Sequence, residues 1–446
     1  MSPVSRPSRQ DLEQQQPTPN SLPPQLAPAV GGPYAYYVLG VLFVMYLFNF
    51  LDRQLLAILL QPIKEDLQIS DTALGFLTGF AFAVFYTFAG LPLARLADRW
   101  VRRSLIAIST ATWSIMTVAC GLAQGFTGLA LARIGVGIGE AGATPPAHSL
   151  LSDYFPPEKR ATVLALYACG VPVGSGVGYW LGGWINDAFG WRTAFFVVGL
   201  PGVLVALLVR FTVREPVRGA SEHRPLNVRQ YTLREVWQFL SLLPSGRRVS
   251  LAAACIAFAG YGLAAWIPAF FVRIHHMTPG QLGLWLSWIT ALGGIIGSFS
   301  GGVIADRWGR THPRARAYVS MSGALLSIPF NVASVLLDDH RLALLSFLPA
   351  TIGVTLWFGP ATSIVQDLVP PAMRATASAV FIFILTIIGL GAGPQAIGIL
   401  NDWIGTPDAI RYSLLFVAIT MNLLAAWFFW STGKTLVGDL RAKEQM

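Results

Sequence analysis

The stretch GVIADRWGR at residues 302–310 is a near copy of ARLADRWVRR at 94–103, and that recurrence decides the architecture. Two further matches follow in the same order. SDYFPPEKRAT at 152–162 returns as QDLVPPAMRAT at 366–376, and Asn186-Asp187 returns as Asn401-Asp402. The offsets are 208 residues (Asp98 to Asp306), 214 (Asp153 to Asp367) and 215 (Asn186 to Asn401). Ordered matches at nearly constant spacing mark a chain made of two copies of one unit.

Composition says what kind of unit. Of 446 residues, 54% are hydrophobic and only 12% charged, with a mean hydropathy of +0.56. Soluble domains carry about a quarter charged residues, so lipid is the expected solvent. Apolar stretches of roughly 20 residues, enough to cross a bilayer, fall near 34–61, 72–97, 104–123, 126–152, 160–186, 192–213, 248–274, 281–305, 316–337, 342–366, 373–400 and 409–431. Open strands cannot satisfy their backbone groups in hydrocarbon, so each is read as a helix. The expectation is an all-α membrane protein with twelve transmembrane helices in two pseudo-symmetric six-helix bundles, 34–213 and 248–432. A linker at 214–247 joins them. Within it, TLREVWQFLSLL at 232–243 aligns Leu233, Val236, Trp237, Leu240 and Leu243 on one face, as in a helix lying at the interface. Residues 1–33, rich in Pro, Gln and Ser, and 433–446 are read as tails.

The formal charge of +9 follows topology. One set of loops holds Arg95, Arg99, Arg102, Arg103, Lys159, Arg160, the run from Arg210 to Arg248, Arg307, Arg310, Arg314, Arg316 and Arg374. The other set holds Lys64, Arg192, Arg273, Arg341 and Arg411. By the positive-inside rule the first set and both termini are expected in the cytoplasm, in a plasma membrane of bacterial inner-membrane type. Nucleic acid is excluded as the partner of this charge.

ADRWGR at 305–310, with Gly302 four residues before Asp306, resembles the loop signature of the major facilitator superfamily. In the first copy, Ala94 and Val101 stand where glycine is usual. Arg133 and the glycines at 170, 174 and 178 fit the same superfamily. Residues 49–86, NFLDRQLLAILLQPIKEDLQISDTALGFLTGFAFAVFY, are similar to the Spinster family of lysolipid and sphingosine-1-phosphate transporters. The resemblance implies alternating access, and a central cavity lined by the first, fourth, seventh and tenth helices.

The residues themselves suggest a site. Ionisable groups deep in apolar spans usually face one another or a cavity, and Asp52, Arg53, Arg133 and Glu140 qualify. Helical rise puts the first three at nearly one depth. Glu140 lies seven residues, or two turns, from Arg133 on the same face. The expected roles are Asp52 paired with Arg133, and Glu140 as the proton-responsive acid alongside Asp52. Arg53, backed by Asn49, alternates between Glu140 and an anionic headgroup, as a guanidinium fork can. The opposite wall is expected from Tyr261, Trp266 and Phe270 in FAGYGLAAWIPAFF (258–271) and from Trp357 and Phe358 in TLWFGPATSIVQD (355–367). Charge facing grease suits an amphiphile. Asp98, Arg99, Arg102, Asp306, Arg307 and Arg310 are expected to gate, through contacts made in one state only.

Other chemistries fit poorly. His275, His276 and Met277 lack further soft ligands, so no metal is expected. The glycines of GVGIGEAG (135–142) lie inside an apolar span, not after a strand, which excludes a nucleotide fingerprint. Cys120, Cys169 and Cys255 lie in spans and suggest no disulfide framework. No triad spacing and no GxxxxGK[ST] occur, so neither an enzyme nor an ATPase is read. The leading expectation is a monomeric, proton-linked secondary transporter of a lysophospholipid-like or sphingosine-phosphate-like amphiphile, surrounded by membrane lipids. It takes no cofactor beyond the proton gradient. A proton-coupled symporter of a small organic anion and a non-transporting receptor or scaffold are the alternatives.

Overall fold

The computed structural model describes residues 31–218, 231–370 and 373–444, so nearly all of the 1–33 tail lies outside them. The described residues are almost wholly helical. Among them, eleven stretches are long and apolar enough to cross a membrane, with mean hydropathies of 1.5 to 2.3. The twelfth is the fourth span, which breaks after Ala141. Gly142 and Ala143 separate Phe126–Ala141 from Thr144–Tyr154, whose Pro145 and Pro146 can start a helix but not continue one.

Labels follow chain order. The N-terminal bundle holds α1 (Pro33–Ile58), a short α2 (Leu60–Leu67), α3 (Asp71–Thr78) and α4 (Phe80–Arg99). It continues with α5 (Arg102–Leu122), α6 (Phe126–Ala141), α7 (Thr144–Tyr154), α8 (Pro157–Ala168), α9 (Gly170–Phe189) and α10 (Trp191–Thr212). Helix α11 (Leu233–Leu242) opens on a capping box between Thr232 and Glu235. The C-terminal bundle follows: α12 (Pro244–His275), α13 (Pro279–Gly309), α14 (Ala315–Leu336), α15 (His340–Leu356) and α16 (Phe358–Leu368). The eleventh span is α17 (Arg374–Ile384), a π-helical segment (Leu385–Ala392) and α18 (Gly393–Ile404). The last, α19, runs Ala409–Glu444, so residues 433–444 of the expected tail continue the helix of the last span. There Asp439 accepts the Ser245 amide at 2.7 Å and caps α12.

The bundles meet along two seams, α9 on α13 and α3 on α18. Both are backbone-close. A Cβ on Gly183 would lie 2.1 Å from the Pro279 carbonyl, and one on Gly79 would lie 2.3 Å from that of Gly391. Small residues let membrane helices approach this nearly. The glycines at 174 and 178 serve packing within a bundle, against Leu47 and Leu51 of α1.

Candidate functional site

The basic end is the one that carries the arginine-rich loops; the sparse end is opposite. At the sparse end the bundles are locked together. Asp71, buried at the start of α3, accepts two hydrogen bonds from Arg273 at 2.5 and 2.9 Å, one from Lys64 at 2.5 Å and one from Asn401 at 2.9 Å. Arg273 also donates to Gln61 at 2.5 Å. Two aspartates then grip helix starts across the seams. Asp402 accepts the Asp71 and Thr72 amides at 3.1 and 2.7 Å, and Asp187 accepts the Gly280 amide at 2.9 Å. Carboxylates at helix N-termini satisfy orphan amides and face the positive end of the helix dipole. The two grips are the second and first copies of the Asn-Asp repeat. Sequence reading noted the repeat and gave it no role.

At the basic end the expected gate is not engaged. Asp98, Arg99, Asp306, Arg307 and Arg310 are exposed, and none forms an ion pair among the described residues. Arg102 departs further from its expected role. It is 1% exposed, held by Asp153 at 2.5 Å and Glu215 at 2.7 Å, and it braces α5 to α7 inside one bundle. The C-terminal bundle repeats the brace as Arg316 with Asp367, each residue 214 positions on. Arg102 therefore bridges no gate in this state. Among the described residues, the ion pair that joins the bundles lies at the sparse end, and the expected gate residues form none at the basic end.

The intramembrane charges lie between. Arg53 on α1 donates through Nε, and pairs through Nη2, to Glu140 Oε2, both at 2.7 Å, and Glu140 is wholly buried. Three rings cradle the guanidinium: Phe50 and Phe82 at 4.8 Å and Tyr86 at 5.0 Å. Such cation–π contacts offset part of the cost of burying the cation. Arg133 lies over the same Phe82 ring at 5.4 Å, so an aromatic of α4 links the two arginines. Sequence reading missed Phe82 and Tyr86 because a ring in an apolar span carries no polar signal. Asn49, 2% exposed, lies beside the Glu140 carboxylate.

The Asp52–Arg133 pair does not form. Consecutive helix residues point about 100° apart, so Asp52 turns away from its neighbour toward α5. There one carboxylate oxygen accepts from the Thr117 hydroxyl, and the other is buried with no hydrogen-bond partner among the described residues. Arg133 is 3% exposed, and its Nε and Nη1 have no hydrogen-bond partner among the described residues either. Arg53, Arg133, Gln54, Phe82 and Tyr261 line one cavity of about 80 Å³ between the bundles.

Of the aromatics expected on the opposite wall, only Tyr261 reaches that cavity. Trp266 and Phe270 are fully buried in the core; Trp266 Nε1 donates to the Pro394 carbonyl at 2.8 Å, and Phe270 packs on Phe271 and His275. Trp357 packs against Phe429, and the exposed Phe358 beside it lies outside the cavity. A helical aromatic serves packing as readily as a ligand, and sequence does not separate the two.

Two bundles related by an internal repeat, closed at one end around buried charges in an inter-bundle cavity, define a secondary membrane carrier, not an enzyme. Residues 42–394 match the family model described as Major Facilitator Superfamily, and the chain belongs to that superfamily as a multi-pass transporter of the spinster type. It is 35% identical over 401 residues to an MFS-type efflux pump of Mycolicibacterium smegmatis, covering 89% of this chain and 92% of that one. It is 31% identical to the human protein spinster homolog 1 over 422 residues, covering 89% of this chain and 78% of that one. The structure is similar to a bacterial homolog of the human lysosomal transporter Spinster in an inward-facing, unoccupied conformation. That match has a TM-score of 0.84 and 30% identity, covering 92% of this chain and 99% of the other. The occupied inward-facing form of the same homolog gives 0.81.

Proposed function

We propose that the protein is a proton-linked transporter of an anionic amphiphile of the lysophospholipid or sphingosine-phosphate type, held here in the state open to the cytoplasm. The basic end is then cytoplasmic, following the charge asymmetry of the loops, and the membrane is a bacterial-type inner membrane. One observation carries the reading: Arg133 is a buried guanidinium with two unpartnered donors at a cavity that is otherwise largely aromatic and aliphatic. The charges of Asp52 and Glu140 lie within electrostatic range of Arg133, but buried donors without hydrogen bonds are still costly, and a phosphate or carboxylate headgroup removes that deficit by accepting both bonds.

The coupling follows from competition. Ionised Glu140 occupies Arg53; protonated, it releases the fork to join Arg133 on the anion. Arg133, not Arg53, is the resting anion site. Asp52, with one oxygen orphaned beside Thr117, is a second place to store a proton. Reconstitution tests this. Proteoliposomes with an imposed pH gradient should accumulate or release a labelled lysophospholipid, and an Arg133→Leu variant should not. A gradient-dependent flux of small carboxylates with none of lysolipid would favour the organic-anion reading, and no flux of either kind the scaffold.

A further inference from the structure

A second cavity, of about 160 Å³, adjoins the first: Gln54 and Ala264 line both. It reaches into the C-terminal bundle beside α13, α14, α15 and α19. Much of its wall is apolar, including Ile267, Leu286 and Phe347. Its deep wall is not. Asn422 is wholly buried; its Nδ2 donates to the Ala418 carbonyl at 2.8 Å, and its Oδ1 is enclosed with no partner. Asn331, 4% exposed, and Thr290 also line the chamber, and neither side chain makes a hydrogen bond among the described residues. The neighbouring Thr351 and Thr355 differ, since their hydroxyls donate to carbonyls of their own helix at 2.8 and 2.9 Å.

We infer that this chamber binds a hydroxyl or amide group carried by the substrate away from its anionic end. The inference rests on the anion site at Arg133. A plain hydrocarbon chain pressed against this wall would leave an enclosed carbonyl, a second amide and a hydroxyl without partners. Buried polar groups are hydrogen-bonded in nearly all native structures. A chain ending in a hydroxyl supplies both a donor and an acceptor. A site built to bond a hydroxyl rejects the analogue that lacks it far more strongly than an apolar pocket rejects an extra methylene. The substrate class is therefore a two-headed amphiphile: an anion at Arg133, an apolar middle passing Gln54 and Ala264, and a hydrogen-bonding group at Thr290, Asn331 and Asn422. Water alone is the rival occupant, since the volume suits about five molecules at roughly 30 Å³ each.

The test uses the full chain in nanodiscs and displacement of radiolabelled dodecyl phosphate by alkyl phosphates hydroxylated at carbon 6, 8, 10 or 12. One position should displace at a concentration at least tenfold lower than dodecyl phosphate itself. Thr290→Val and Asn331→Leu should abolish that advantage, while plain dodecyl phosphate binds at least as tightly as to the native chain, which shows that the variants are folded. Equal displacement by all hydroxylated and plain probes overturns the inference and means a water-filled chamber. An Arg133→Leu variant is read separately. Retained binding there, with the hydroxyl preference intact, refutes the arginine site but not the chamber.

Discussion

Asp71 and Arg273 lie 202 residues apart in different bundles and are joined by two hydrogen bonds of 2.5 and 2.9 Å. With Asp71 2% exposed and Arg273 half-buried, this is the strongest side-chain tie across the sparse end. Arg273→Ala leaves a buried carboxylate with one cation fewer, a loss of about 2–4 kcal/mol to the closed end. Each 1.4 kcal/mol is tenfold in a population. The sparse end should therefore open in a large fraction of molecules. Spin labels at Phe189 and Trp403, both exposed near that end, should show a new longer distance. An unchanged distance distribution would remove the lock from the mechanism.

The aspartate grips should be weaker, with Asp402, which holds two amides, gripping somewhat more firmly than Asp187, which holds one. Asp187→Asn and Asp402→Asn each remove a charged cap from one helix start, at about 1 kcal/mol. Each should raise the open fraction at the sparse end several-fold, measured with the same labels. If Asp402→Asn acts and Asp187→Asn does not, the symmetry between them is only formal.

Arg133→Met should separate stability from binding. Removing the guanidinium relieves its unpartnered donors but takes a nearby cation from the buried Asp52 and Glu140, so the unliganded thermal midpoint is expected to stay within a few degrees of the native value. The same change should abolish the stabilisation that an alkyl phosphate gives the native protein. A larger drop in the unliganded midpoint would mean that Arg133 is a brace.

Glu140→Gln should flatten the pH response. In the native chain, protonation of Glu140 frees Arg53, so affinity for a phosphate amphiphile rises as pH falls and is lost as pH rises. The glutamine keeps a hydrogen bond but no charge, which fixes the site in its acid-like form. Binding isotherms from pH 5 to 8 check this; a native-like slope in the variant assigns the proton elsewhere, with Asp52 the next candidate.

Arg102→Ala and Arg316→Ala should each destabilise the fold by about 3 kcal/mol or less, with the greater loss at the more buried Arg102. Neither should move the spin-label distance at the sparse end. A shifted distance would make these intra-bundle braces part of the gate after all.

Much of the fold was legible because lipid imposes it. Span length and internal repetition leave few architectures open, and the fourth span, whose helix breaks at Gly142 and Ala143, is still marked by its hydropathy. The site was legible in part. Arg53, Glu140 and Arg133 stand out since charge in an apolar span is rare. Asp52 misled: depth was computable from helical rise, but whether it faces Arg133 or Thr117 depends on how α1 is rotated against α5. Trp266 and Tyr261 sit five residues apart on α12, and only packing decides that one is core and the other cavity wall. The sparse-end lock was hidden for a plainer reason. Its aspartates lie at helix ends, where charge is ordinary and signals nothing until the opposing helix start is in place.

The paired grips of Asp187 and Asp402 also bear on how the carrier can move. Each bundle clasps the other's helix start, so the clasps form a hand-in-hand couple on either side of the rocking axis. A tilt that frees one side pulls on its counterpart, which makes parting of the sparse end a single concerted event and disfavours a half-ajar leak between the two seams.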